Sequence, residues 1–307
     1  MRSALVLLLA LLALSPAIAQ QSAPGALTDQ ATAFARFADT TSAQPAAERI
    51  ARFHAEFDAQ LPGFYQRATP RAQAALDAEI AAALAAFPAN RAAFARTTAS
   101  FGTAFAAAQA RFRQSFPDYT LSMPVYLIQS FGQMDGGTRT IGGKPAMLFG
   151  ADVIAKIHDE TTIGPFLDHE LFHSYHARYF PDCAEMWCSL WQEGLAVHVT
   201  ARMNPDANDR QLLLSSPRPI RAALAARIPQ AMCFVRKRFA STRDSDYAAL
   251  FLGTSGRTKF PARFGYLIGA MLAERIGADL SLEQLAKLPR DAVELRLSAA
   301  LASYGRC

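Results

Sequence analysis

Two histidines four residues apart, His169 and His173, constrain the fold of this chain more than any other feature. On an α-helix, residues at this spacing lie one above the other on the same face, so both imidazoles can reach one metal ion at about 2.0–2.1 Å. Pro165 suits a first helical turn, and Pro181 ends the helical pattern. The segment therefore predicts a helix that carries two ligands of a single ion.

The acidic residues near these histidines favour a catalytic metal. Glu170 lies next to the first histidine, where a carboxylate can take a proton from water as the water attacks a carbonyl. A catalytic zinc needs a third protein ligand, and Glu193 follows on the next predicted helix. Gly194 beside it is small, which would let the second helix approach the first. This pattern predicts Zn²⁺ as the cofactor, held by His169, His173 and Glu193, with Glu170 as general base.

The segment His-Glu-Leu-Phe-His, followed by Trp191-Gln192-Glu193-Gly194-Leu195-Ala196, resembles the gluzincins, whose third zinc ligand is a glutamate on a downstream helix. It is similar, more closely, to bacterial families described as predicted zinc-dependent proteases of unknown function. Tyr266-Leu267-Ile268-Gly269 fits the place of a Tyr-x-x-Gly helix in those families. The resemblance covers roughly Val125 to Leu288. It implies a zincin-like fold and peptide hydrolysis, with Tyr266 and then Arg263 as donors to the developing oxyanion.

The chain departs from the thermolysin-like pattern at Val197, where those enzymes have an aspartate that orients a ligand histidine. The groups that orient the imidazoles must then come from elsewhere, and Asp168, His198 and Asp152 are candidates. Backbone carbonyls can also serve. His176 shares the helix face of the two ligands but lies one further turn along, which favours a role in the core or in support of the ligands.

Residues 1–19 have the three parts of a secretory signal, namely Arg2, an apolar run from Ala4 to Leu14, and the small-x-small sequence Ala17-Ile18-Ala19. The apolar run is shorter than the roughly 20 residues of a spanning helix. We expect cleavage after Ala19 and a periplasmic or secreted protein without a membrane anchor. The net charge of +5 is spread over scattered arginines, so nucleic acid is not expected as a partner.

The four cysteines form an even set, which an oxidising compartment would pair. They are Cys183, Cys188, Cys233 and Cys307. A local bridge between Cys183 and Cys188, beside the metal segment, is the first interpretation. A thiolate metal site is the alternative.

An Ala-rich sequence with Phe, Leu and Arg at helical spacing predicts an N-terminal α-helical region over residues 20–117, before a zincin-like domain over residues 118–307. Prolines divide the first region into four or five predicted helices. The dividing prolines are Pro45, Pro62, Pro70 and Pro88. Apolar runs at Val125–Ile128 and Ala146–Phe149 predict strands of a small mixed sheet next to the metal helix, and the second is expected to be the edge on which an extended peptide lies. The predicted fold class is α+β, mostly helical.

Together these features predict an exported zinc-dependent peptidase that acts on a peptide or protein substrate. The alternative is a non-catalytic binding protein in which zinc joins two helices through four protein donors. Glu170 favours the peptidase, because a structural site does not need a base. The N-terminal helices are a candidate inhibitory or docking module.

Overall fold

The computed structural model describes residues 25–252, 258–305 and 307. The predicted signal segment, residues 1–19, lies outside the described residues. The described chain is mixed α+β, with many helices around one four-stranded sheet. None of the helices in the described ranges is long and apolar enough to cross a bilayer.

The elements follow one another along the chain in three groups. The first group is β1 Leu27–Asp29, α1 Gln30–Thr40, α2 Ala46–Phe57 and α3 Pro70–Ser115. The second group is β2 Val125–Ile128, β3 Gly136–Ile141, β4 Lys144–Gly150, α4 Ala151–Ile157, α5 Ile163–His176 and α6 Met186–Met203. The third group is α7 Ile220–Leu224, α8 Ile228–Arg236, α9 Asp244–Phe251, α10 Phe264–Ile276, α11 Leu282–Ala286 and α12 Arg290–Ala302.

Helix α3 passes through Pro88 without ending. The prediction of four or five helices is therefore wrong, since the described part of the N-terminal region forms α1, α2 and α3. Proline removes one helical hydrogen bond, but Pro88 lies on the exposed side of α3. Phe87 and Phe94, on either side of it, both pack against Phe34, with ring centroids 5.6 and 6.1 Å away. This shared burial keeps one continuous helix across the proline.

The sheet has the order β1-β2-β4-β3, with β1, β2 and β4 parallel and β3 antiparallel to β4. The expectation that the strand with Met147 forms the edge is therefore wrong, because β4 lies between β2 and β3. The edge is β3. Gly142 and Gly143 have φ of +56° and +79°, the positive values that a two-residue hairpin turn requires. They turn the chain back so that β3 and β4 pair as antiparallel neighbours.

A row of aromatic rings joins the N-terminal helices to α5. Phe101 and Phe105 of α3 pack on Phe149 of β4, with centroids 5.0 and 5.7 Å apart, and Phe149 packs on Phe166 of α5 at 6.0 Å. All four rings are buried. Helix α5 is therefore held by the same core as the sheet and the N-terminal helices.

Helices α6 and α10 touch through two glycines, Gly194 and Gly269. A Cβ added to Gly194 would overlap the backbone of Gly269, and a Cβ on Gly269 would overlap the carbonyl oxygen of Leu190. The contact that Gly194 permits is thus with α10, whereas the sequence interpretation placed it against α5. This close approach fixes α6, which carries Glu193, relative to α10, which carries Tyr266.

Substituting Gly269→Ala tests the helix contact. We expect the added methyl group to force α6 and α10 apart at a cost of about 1–3 kcal/mol. The midpoint of thermal unfolding, measured by circular dichroism, should then fall by several degrees. Gly102→Ala is the matched control, because a Cβ there meets its nearest atom at 3.7 Å and alanine favours a helix. Equal midpoints for the two variants would contradict the close contact.

Candidate metal centre

The three predicted ligands lie together. His169 and His173 project from the same face of α5, and their Nε2 atoms are 3.0 Å apart. Glu193 of α6 places its Oε2 atom 3.5 Å from Nε2 of His169 and 3.4 Å from Nε2 of His173. The three side chains form a group with the spacing of metal ligands. The structure thus has a candidate metal site at the junction of α5 and α6.

The triangle formed by these three atoms fits a tetrahedral ion. Ligand atoms at about 2.0–2.1 Å from a tetrahedral zinc lie roughly 3.3 Å from one another. The three distances of 3.0, 3.5 and 3.4 Å are close to that value. Two imidazoles and one carboxylate also form a donor set that suits a divalent transition metal. Both the geometry and the chemistry of the donors therefore fit a metal ion.

The charges in the cluster also favour a cation. Burial lowers the pKa of His169. For His173, burial also opposes the charged form, but the Glu193 carboxylate outweighs it and raises the pKa to about 9. Burial alone would raise the pKa of Glu193, and the two imidazoles instead hold it well below its usual range. Glu193 therefore keeps its negative charge at neutral pH, pointed at two imidazole nitrogens.

Glu170 lies under the edge strand of the sheet. A Cβ on Gly136 of β3 would come within 2.8 Å of Cζ of Phe166 and 3.0 Å of Cγ of Glu170, so only glycine lets the strand pass this closely. Burial raises the pKa of Glu170 to about 7, and the charges of Asp135 and Glu193 add to this effect. The predicted base is thus confined between the ligand helix and the strand edge.

Tyr266 and Arg263 lie beside the ligands, at the start of α10. The ring centroid of Tyr266 is 6.4 Å from that of His169, and the guanidinium carbon of Arg263 lies 4.6 Å from the Tyr266 ring centroid. Burial, and then the charge of Glu193, raise the pKa of Tyr266 well above its usual range, so its hydroxyl stays protonated. Arg263 has a left-handed backbone, φ +62°, which is uncommon for a residue other than glycine.

The three residues predicted to orient the ligand histidines have other partners or positions. Asp168 accepts hydrogen bonds from Arg111 and Asn204 at 2.9 Å each. Asp152 accepts from the backbone after β2, and Nε2 of His198 is buried without a hydrogen-bond partner among the described residues. Each neighbouring residue on a helix is turned by about 100°, which directs Asp168 away from the imidazole of the residue that follows it.

His176 is a core residue. Its ring stacks between Phe172 and Phe180, with centroids 5.2 and 5.1 Å away, and burial lowers its pKa to about 3. A further turn of α5 separates it from the ligand cluster. Of the two interpretations made from the sequence, the packing role is the one that the structure shows.

Three residues near the site were not identified from the sequence. Tyr247 of α9 packs on Phe251, which in turn packs on Tyr266. Burial and then the charge of Glu193 raise the pKa of the Tyr247 hydroxyl, and the charge of Arg139 opposes them. Arg139 belongs to the edge strand β3, and its charge lowers the pKa of Glu170. Asp135 lies just before that strand, and its charge raises the pKa of Glu170. Each is an isolated polar residue without a motif, so only the folded chain brings it to the site.

The cysteines form two disulfides. Cys183 pairs with Cys188, with Cα atoms 5.9 Å apart, and Cys233 pairs with Cys307 at 5.3 Å. The first pairing is the local bridge expected from the sequence, and a disulfide offers no thiolate to a metal. The bridged loop leads directly into α6, the helix of Glu193.

Comparisons with known proteins find no relative of this chain. No protein-family model matches it, and neither a curated protein nor a solved structure does so. Functional inference therefore rests on the geometry of the site itself.

Metal analysis of purified variants tests the ligand set. We expect one divalent transition-metal ion per chain, and its loss from both His169→Ala and Glu193→Ala, because two donors hold such an ion much more weakly than three. Glu185→Ala is the control, because Glu185 lies just before α6 and groups with Cys183 and Cys188, not with the three candidate ligands. Metal content measured by mass spectrometry should be unchanged in that control. Metal retained in Glu193→Ala would remove Glu193 from the ligand set.

Proposed function

We propose that this chain is an exported zinc-dependent peptidase of the gluzincin type, with a zincin-like fold. The observation that carries the proposal is the convergence of His169, His173 and Glu193 on one point beside Glu170. The small mixed sheet, with an antiparallel edge strand over the ligand helix, supports the fold assignment. Export rests on the signal pattern in residues 1–19.

The side chains of the site divide the chemistry among them. When bound, zinc supplies a Lewis acid that activates water for attack on a carbonyl. His169, His173 and Glu193 would hold the ion, and three protein ligands would leave a coordination position for water. Glu170 takes the proton of the attacking water on a carboxylate oxygen and then passes it to the departing amine nitrogen. Glu170 is partly buried under β3, which limits the access of bulk water to its carboxylate.

The oxyanion that develops on the substrate needs donors opposite the base. Tyr266 supplies a protonated hydroxyl from a ring that lies near His169, and Arg263 supplies a guanidinium that lies over the Tyr266 ring. Such donors act strongly because they are already oriented and lie in a site of low dielectric. The Gly194 and Gly269 contact holds their helix against the ligand helix α6.

The substrate is proposed to lie along β3. Within the described residues, β3 pairs on one side only, so its outer edge offers backbone groups to an extended peptide. Gly136 of β3 lies next to Glu170, so a peptide bound along this edge would pass close to the base. This strand replaces β4, which the sequence interpretation had assigned to the same role.

A non-catalytic zinc-stabilised protein is the alternative function. Structural zinc sites use four protein ligands, whereas the described residues place three His, Cys, Asp or Glu donors in this group. The incomplete set favours catalysis. Glu170, adjacent to the group, would have no role in a structural site.

Glu170→Gln tests catalysis directly. The amide cannot take a proton, so we expect hydrolysis of an unfolded protein such as casein to fall by about 10²–10⁴-fold. Metal content should remain that of the unmodified chain. Glu160→Gln is the matched control, because Glu160 is an exposed glutamate near the start of the same helix, and its activity should not change. Equal activity in Glu170→Gln and the unmodified protein would rule out the proposed mechanism.

A further inference from the structure

A cavity of about 420 Å³ lies between α3 and the segments that follow β2 and β4. Neither the three candidate ligands nor Glu170, Tyr266 and Arg263 line it. One wall is a stripe of α3 that contains Ala82, Ala86, Phe87 and Phe94. The facing wall includes Phe131. The cavity is thus mainly apolar, and its volume is within the range of about 300–1,000 Å³ that is usual for small-molecule sites.

The position of the cavity in the sheet is one where ligands often bind. Strands β2 and β4 are parallel neighbours, so their carboxyl ends meet at one edge. Gln129 directly follows β2, and Asp152 lies just after β4. Both residues line the cavity. In sheets with parallel strands, the crevice outside the carboxyl ends of the strands is a common place for a ligand.

Gln129 provides the second, independent sign of a ligand. Its relative exposure is only 5 %, yet its side-chain amide makes no hydrogen bond to any described residue. Its amide atoms are accessible from the cavity and not sealed in the core, so they can bond to a molecule held there. The amide offers one acceptor and two donors, all available to a molecule in the cavity.

The charges around the cavity favour a neutral molecule. Asp152 already accepts hydrogen bonds from the backbone N–H and hydroxyl of Ser130, both at 2.8 Å, and from the N–H of Gly132 at 2.7 Å. Its negative charge opposes an anion. Lys156 and Glu79 line the cavity as exposed residues of opposite charge, so they do not select an ion of either sign.

We propose that this cavity binds a small, neutral amide with an apolar or aromatic body. The amide group of the ligand pairs with Gln129, because a carboxamide presents a donor and an acceptor side by side and satisfies both ends of the glutamine amide. The body of the ligand packs on the alanines of α3 and against Phe87 and Phe131. The site is separate from the metal centre, and its occupation does not depend on the proposed peptidase activity.

Titration with N-acetyl-L-phenylalaninamide, followed by ligand-observed NMR, tests the site on the full protein. We expect saturable binding that Ala86→Trp weakens by about tenfold or more, since the indole fills the cavity. Ala85→Trp is the matched control, because Ala85 is an equally exposed residue of α3 that does not line the cavity. Its affinity should be that of the unmodified protein. Binding that is absent, or that Ala86→Trp leaves unchanged, would overturn the proposal.

Two further measurements test the chemistry of recognition. Gln129→Met removes the amide at similar volume, and we expect it to weaken binding by about fivefold or more, since the ligand loses its hydrogen-bond partner. N-acetyl-L-phenylalanine, which carries a carboxylate instead, should bind about tenfold more weakly than the amide. Equal binding of the two probes would contradict recognition of a neutral amide by Gln129.

Discussion

Glu193 must reach two imidazole nitrogens on a neighbouring helix, and its short side chain leaves little freedom in the packing of α6. Its carboxylate lies within 3.5 Å of both nitrogens, so a small displacement of α6 would open the cluster. The contact of Gly194 with Gly269 holds α6 against α10. Because Tyr266 and Arg263 lie at the start of α10, the same contact places the proposed oxyanion donors beside the ligands.

Burial makes this arrangement dependent on charge compensation. The carboxylates of Glu193 and Glu170 are both partly buried, and a buried carboxylate without a partner costs several kcal/mol. The imidazoles of His169 and His173 compensate Glu193 in part. A divalent cation at the same point would compensate it fully, so metal binding is expected to contribute to the stability of the fold as well as to its chemistry. The non-catalytic alternative shares this expectation, and the two are separated by the number of protein donors and by Glu170.

The local part of the site could be predicted from the sequence, whereas its surroundings could not. The spacing of His169 and His173, and the helical pattern around Glu193, depend on short-range periodicity, and α6 is the helix that this pattern predicts for Glu193. Strand β3 has few apolar residues. It is a strand because a glycine turn at its end brings β4 back to pair with it. Pro88 predicted a helix end, but burial of the rings around it keeps α3 continuous. Tyr247 reaches the site only through packing of distant helices, for which the sequence carries no signal.

X-ray absorption at the zinc edge of the purified protein tests most directly the claim that two histidines and a glutamate hold one zinc ion. The account predicts scattering from imidazole nitrogens and carboxylate oxygen at about 2.0–2.2 Å, with one imidazole pair per ion and no sulfur at about 2.3 Å. The pairing of Cys183 with Cys188 agrees with the absence of sulfur. A spectrum dominated by sulfur, or a site without imidazole, would contradict the assignment.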